Sequence, residues 1–367
     1  MENPLPHPEY LIESKLLDRF TYDEITFLLS DHSNLIQFAS FLIIYDVVVY
    51  KIIYETIDPD NNPVIASGAL LVPVNKNPMP LLSFQHGTIR NETDAPSNFS
   101  ANSYFNAILS ASSGYITILP DYLGYGSSSQ MEHPYEHGRS LATASRDMLR
   151  AVREFDFSNK EFIANEKLFL AGYSKGGYAT MALLKLLEEQ HSDEFTVTAA
   201  TVGAGAYNKS EFARFIMGSD EELTHLNSFL WVLNTYNKVY RINRPYTYYF
   251  NEPYAGIIGN GGVFANPQLN PQELFTNTFR ENIMSSNDTE FISALADNDN
   301  FNWKPITPLQ LYHGTDDNFV FYFNSASAYE AMYSSGANAE LISVQGGNHS
   351  GTANDYFAGT YIFFGNF

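Results

Sequence analysis

Five residues constrain this chain more than any others: Gly172-Tyr173-Ser174-Lys175-Gly176. An apolar run, Leu168-Phe169-Leu170-Ala171, leads into them. A stretch with Ala179, Leu183, Leu186 and Leu187 on one side leads away, from Gly176 to Glu189. Strand-like before and helix-like after, the segment must turn sharply in between. Glycine two positions before and two after the serine lets backbone segments approach where a Cβ collides. Such a turn lifts the Ser174 hydroxyl off the sheet and sets the Lys175 N–H at a helix N-terminus, where developing negative charge is stabilised. A serine here can also simply cap the helix, so the pentapeptide by itself leaves both readings open.

The surrounding pattern supplies a frame for that turn. From Tyr45 the apolar residues alternate (Val47, Val49, Ile53) up to a turn cluster at Asp58-Pro59-Asp60-Asn61-Asn62-Pro63, and a second strand pattern runs from Val64 to Val72. The pair reads as an antiparallel hairpin at one sheet edge. Short apolar runs follow at Leu81 to Phe84, Tyr115 to Leu119, Lys167 to Gly172, Val197 to Val202, Leu309 to Tyr312 and Leu341 to Val344. Helical periodicity separates several of them, as from Arg139 to Phe155. Alternating strands and helices predict an α/β fold, with a mostly parallel central sheet and helices on both faces.

Two regions stand outside the alternation. Ile12 to Phe20 and Tyr22 to Leu29 carry apolar residues at helix-like spacing, so residues 1–44 read as a partly helical N-terminal arm. Residues 208–304 hold helical pieces, a Tyr-rich segment (Tyr246 to Phe250) and a Gly-rich loop (Gly256 to Gly262), but no strand–helix unit. An insertion of this size in an α/β core reads as a cap over the ligand site. It divides the core into residues 45–207 and 305–367. The aromatic residues Phe229, Trp231, Tyr236, Tyr240, Tyr248, Tyr249 and Phe250 either line an apolar pocket or form the insertion's own small core.

Serine is a weak nucleophile; it needs a base, and the base needs an orienting carboxylate. With a strand-to-helix serine of this kind, acid and then base follow it along the chain. After Ser174 the histidines are His191, His225, His313 and His349. His349, in Gln345-Gly346-Gly347-Asn348-His349-Ser350-Gly351, follows a strand-like run and lies in a loop where a base belongs. The acid candidates are Asp316 and Asp317, in Leu311-Tyr312-His313-Gly314-Thr315-Asp316-Asp317-Asn318-Phe319-Val320. Adjacent residues point in different directions, so only one can face His349. The loop Ser83-Phe84-Gln85-His86-Gly87-Thr88 is positioned to give a second N–H to an oxyanion, from Thr88 or from Gly87. His86, His313 and Asp121 read as residues that brace their own turns.

The segments His86-Gly87-Thr88, Asp121-Tyr122-Leu123-Gly124-Tyr125-Gly126, His133-Pro134-Tyr135, Gly172-Tyr173-Ser174-Lys175-Gly176-Gly177, His313-Gly314-Thr315-Asp316-Asp317 and Asn348-His349 occur in an order that resembles the α/β-hydrolase superfamily. Within it the chain is similar to secreted bacterial lipase and esterase-like members, from about Tyr45 to the C-terminus. The resemblance implies a serine hydrolase that cleaves carboxyl esters through an acyl-enzyme. It implies a triad of Ser174, His349 and Asp317, the spacing His-Gly, two residues, Asp, two residues, Val selecting Asp317 over Asp316. The Lys175 and Thr88 N–H groups become the oxyanion hole. No metal or organic cofactor is implied. Phe321 departs from the pattern, since proline is common there in relatives.

Charge and composition exclude other classes. A formal net charge of -21 argues against nucleic acid and anionic membrane surfaces as partners. The absence of cysteine removes thiolate metal sites, disulfides and a cysteine nucleophile. The run from Phe41 to Tyr54 is broken by Asp46 and Lys51 and is too short to span a bilayer. The start, Met1-Glu2-Asn3-Pro4, lacks a signal pattern. The expectation is a secreted, periplasmic or cell-surface protein whose signal segment has been removed, with a cytoplasmic place as the alternative. Its partner is a small-molecule, lipid or carbohydrate ester. Two other readings stand beside esterase: a serine peptidase of the prolyl-oligopeptidase-like branch, although the length has no room for a propeller, and a catalytically silent hydrolase-like binding protein.

Overall fold

A computed structural model describes residues 9–31 and 39–367. The first residues of the chain and residues 32–38 of the N-terminal arm lie outside it. The strands are β1 (Leu11–Phe20), β2 (Val47–Ile57), β3 (Pro63–Pro73), β4 (Met79–Gln85), β5 (Ile116–Pro120), β6 (Ala164–Tyr173), β7 (Ala199–Gly203), β8 (Leu309–Gly314) and β9 (Ala339–Val344). They form one sheet in the order β1-β2-β3-β5-β4-β6-β7-β8-β9. The pairs β1–β2, β2–β3 and β3–β5 are antiparallel, and every pair from β5 onward is parallel. Strands β5 and β7 are buried along their whole length, which is why they read as unbroken apolar runs rather than alternations.

Helices cover both faces. On one lie α1 (Tyr22–Asp31), α2 (Phe105–Ser112) and, at the far end of the chain, the helix Thr352–Phe364. Ile25, Ile108 and Leu109 pack there on Val47, Val49 and Leu119. On the other face lie α3 (Gly138–Asn159) and α4 (Lys175–Gln190), whose Met148, Val152, Leu183 and Leu187 pack with Tyr50, Ile52, Leu170 and Val202.

Between β7 and β8 the chain is helical: α5 (Lys209–Gly218), α6 (Leu226–Val239), α7 (Tyr246–Tyr249), α8 (Tyr254–Gly261), α9 (Pro271–Leu274), α10 (Asn277–Met284) and α11 (Thr289–Asp297). These helices share an apolar cluster separate from the sheet's, centred on Leu230, Leu233, Tyr249, Phe275, Phe279 and Phe291. The chain then returns through β8, α12 (Phe323–Ser334), β9 and α13 (Thr352–Phe364).

Three expectations are corrected. The helix expected over Ile12 to Phe20 is a strand. Its register against β2 skips at Ile12 and again at Leu17, and its half-buried residues are Leu11, Ser14, Leu17 and Phe20. Each bulge adds one residue, and a period of two becomes a spacing of three that mimics a helix. Because β1 lies outside β2, the β2–β3 hairpin is not at the sheet edge. Finally, Gly256 to Gly261 belong to α8, held by the buried Ala255 and Ile258; Gly262 ends the helix with φ +78°.

Candidate active site

The candidate nucleophile sits where β6 meets α4. Ser174 has φ +59° and ψ −127°, a conformation that costs a residue with a Cβ on the order of 1–3 kcal/mol. Its N–H donates to Gly203 O (2.8 Å), so the neighbouring strand β7 holds the turn. The flanking glycines are sterically required. A Cβ on Gly176 sits 2.0 Å from Gln85 O, and one on Gly172 sits 2.3 Å from Gly176 O.

Two loops at the same end of the sheet bring the other side chains to Ser174. The loop after β8 carries Asp317 and the loop after β9 carries His349. His349 Nε2 lies 2.9 Å from Ser174 Oγ, and His349 Nδ1 lies 2.6 Å from Asp317 Oδ2. Since an ionised carboxylate only accepts, Nδ1 carries the proton and Nε2 offers its lone pair to the serine hydroxyl. Tyr173 O–H donates to His349 O (2.6 Å), fixing the loop that presents the ring.

Asp317 is buried and accepts from several directions. Its Oδ1 takes the N–H groups of Phe319 (2.9 Å) and Val320 (3.0 Å). Its Oδ2 takes His349 and lies 3.3 Å from His313 Nε2, whose proton also reaches Val320 O (2.7 Å). Burial alone pushes the Asp317 carboxyl up, but hydrogen bonds from His313 and His349 and the charge of His349 hold it below the ordinary carboxylate range. Asp316 is exposed and meets Thr315 Oγ1 at 3.1 Å, away from His349. Val320 is buried behind Asp317, and the departure at Phe321 leaves the turn intact.

Lys175 begins α4, where the first N–H groups of a helix lack intrahelical acceptors. Thr88 lies in the loop after β4, its Oγ1 2.9 Å from Tyr135 O–H. Gly87 lies beside Tyr173 O, 3.6 Å from the place of a Cβ. His86 braces that loop through Gly87 O (2.8 Å), and the buried Asp121 holds Ser67 Oγ (2.5 Å) and Ser97 N–H (2.7 Å). Among the described residues, no group of three or more His, Asp or Glu side chains converges as metal ligands.

From Ser174 an apolar cavity extends into the helices between β7 and β8. Phe212, Ile216, Leu226, Phe229, Val232 and Phe319 line it, and the buried Glu136–Lys209 ion pair forms a polar part of its wall. Of the aromatic residues singled out in the insertion, Phe229 reaches this cavity; Tyr236, Tyr249 and Phe250 belong to the insertion's own core. Sequence reasoning missed the ion pair, because Glu136 and Lys209 lie 73 positions apart and neither belongs to a motif. It also missed His225, which lines the cavity and stacks on Phe319 (3.9 Å). A second, wider and more polar cleft lies beside His86, Gly87 and Thr88, with Arg90, Asn91 and Asp94 on its wall.

Comparisons with known proteins bear on the family and the fold. The family model for secretory lipases matches residues 105–355, more than half of the chain. A Legionella pneumophila protein described only as a hydrolase is similar at 27% identity, with TM-score 0.86 and 97% of each chain covered. The rice cell wall degrading esterase LipA from Xanthomonas oryzae is 26% identical, with TM-score 0.81, covering 97% of this chain and 96% of its own. Lipase A from Candida antarctica shares the fold at 15% identity, TM-score 0.66, over 94% of this chain and 78% of its own. These are α/β-hydrolase architectures. Comparison with curated protein sequences gives no match.

Proposed function

The chain belongs to the secretory lipase family and hydrolyses esters, and from that premise we propose that it cleaves carboxyl esters through Ser174, His349 and Asp317. The observation that carries this reading is the continuous hydrogen-bonded line from Ser174 Oγ through the His349 ring to Asp317, built on a strained turn.

In this mechanism Ser174 Oγ attacks the acyl carbonyl as His349 Nε2 takes its proton. Asp317 holds the tautomer and stabilises the imidazolium. The oxyanion forms at the N-terminus of α4, against the N–H groups of Lys175 and Thr88. His349 then returns the proton to the departing alcohol, and water, deprotonated by the same nitrogen, releases the acid. The apolar cavity suits the acyl chain, and the polar cleft beside Thr88 suits the alcohol. Residues 208–304 act as the cap that encloses the acyl chain, and the family's character supports secretion. No helix among the described residues is long and apolar enough to cross a membrane.

The test is labelling with a fluorophosphonate probe, then hydrolysis of p-nitrophenyl esters of rising acyl length beside aminoacyl-nitroanilides. Labelling at Ser174, lost in Ser174→Ala, with ester turnover well above anilide turnover, is expected. Unlabelled folded protein overturns the reading, and preferential anilide cleavage moves it to the peptidases.

A further inference from the structure

The side chain of Lys175 is absent from the mechanism above, yet it is almost wholly buried. Its hydrogen-bond partner among the described residues is His133 Nε2, at 3.3 Å. The His133 Nδ1–H donates to Leu123 O (2.6 Å), so Nε2 is free to accept from the lysine. Around the same Nζ stand the rings of Tyr122, Tyr125 and Tyr135, with centroids at 4.6, 5.9 and 5.9 Å.

Each of those tyrosines ends on one short loop. Tyr122 O–H donates to His86 O (3.3 Å), Tyr125 O–H donates to Ile89 O (2.7 Å), and Tyr135 O–H meets Thr88 Oγ1 (2.9 Å). That loop carries the Thr88 N–H. We propose that the Lys175 side chain is a positioning residue for the oxyanion site: it gathers three tyrosine rings whose hydroxyls pin the His86–Ile89 loop, so one residue sets both donors. Its backbone supplies the first N–H, and its side chain places the second. The inference rests on the serine-hydrolase reading.

The grip depends on charge, because an ammonium is attracted to ring faces and a neutral amine is not. Burial pulls Lys175 down to about 7, against the upward pull of Glu136. The other titratable groups facing it are His133 and the three tyrosines on the segment after β5, and His86 after β4; Glu136 is itself tied to Lys209 of α5. Burial and the lysine's charge hold both histidines well below their ordinary range, so near neutrality the changing charge in this nest is the lysine's. Deprotonation loosens the nest, and kcat declines on the alkaline side.

Lys175→Met keeps the backbone N–H and the bulk and removes the charge. Expected is a kcat lower by about tenfold to a hundredfold, short of the loss from deleting a donor outright, with KM within about twofold. The alkaline decline expected of the wild type should vanish, while the acid limb set by His349 remains. A variant that keeps wild-type kcat, or keeps the alkaline limb, overturns the inference. If Lys175→Met does not melt cooperatively, Tyr125→Phe decides: a several-fold loss in kcat at constant KM supports the proposal, and unchanged kcat overturns it. Wild-type protein that resists fluorophosphonate refutes the serine-hydrolase reading itself; labelled wild type beside an unimpaired Lys175→Met refutes only this step.

Discussion

Replacing Asp317 with Asn tests the proposed triad through one proton. Asp317 Oδ1 accepts two backbone N–H groups, from Phe319 and Val320, whereas Oδ2 faces His349 Nδ1 at 2.6 Å. An asparagine must therefore put its carbonyl oxygen at the Oδ1 place and its NH2 toward His349. That NH2 donates, so Nδ1 has to accept and the imidazole proton moves to Nε2, 2.9 Å from Ser174 Oγ. The serine then meets an N–H in place of a lone pair. The His349 ring and its loop stay where they are; besides the tautomer, the change removes only the His313 Nε2–H contact to Oδ2, and that proton keeps Val320 O as its acceptor. A loss of ~10⁴ in kcat is expected for a base held in the wrong tautomer. At about 1.36 kcal/mol per decade this is roughly 5.5 kcal/mol of transition-state stabilisation. The assay is kcat on p-nitrophenyl butyrate, with a thermal melt to show that the variant is folded. Asp316→Asn is the control, and because that carboxylate is exposed its kcat should stay within about twofold. A folded Asp317→Asn enzyme retaining more than about 1% of kcat, or an equal loss in Asp316→Asn, refutes the reasoning.

Stability should fall in mild acid. His86 and His133 are held well below their ordinary range by burial and the charge of Lys175, and burial takes His137 to about 4. Below their unfolded value of about 6.5 the unfolded chain binds more protons, so each costs up to about 1.4 kcal/mol of stability per pH unit of descent. Melts from pH 7 to pH 5 should show a steadily declining midpoint, and a flat profile contradicts the assignment. Gly176→Ala drives a Cβ against Gln85 O and should cost at least about 1–3 kcal/mol, read by urea unfolding, with turnover falling as the turn shifts. Ile216→Trp fills the cavity beside Ser174 and should move the preferred p-nitrophenyl ester to shorter acyl chains. Each methylene excluded is worth about 0.8 kcal/mol, close to fourfold in kcat/KM; an unchanged chain-length profile removes the acyl chain from that cavity.

Sequence revealed most where local chemistry and topology demand the same residue. The serine turn was legible because only glycine fits beside Gln85 O and Gly176 O, and a glycine is visible in a sequence. The meeting of Ser174, His349 and Asp317 was legible because they sit at the ends of three parallel strands and follow a fixed order. Strand β1 was not, since two bulges gave it the spacing of a helix. Helix α8 was hidden by its glycines, whose low helix propensity is overridden by the packing of Ala255 and Ile258. The Glu136–Lys209 pair and the three tyrosines around Lys175 are products of tertiary approach alone. No pattern within a window of chain records that Tyr122, Tyr125 and Tyr135 end on one loop.

The bulged strand has a further bearing, on how readily this sheet edge pairs with another chain. The outermost strand of an open sheet offers unpaired N–H and C=O groups to any passing chain, an invitation to aggregate. β1 occupies that position, and its outward residues include Glu13, Lys15, Asp18 and Arg19, charges of both signs. A strand added there has to match two register skips and bury those charges. The irregularity that disguised β1 as a helix thus makes it a poor template for a growing fibril.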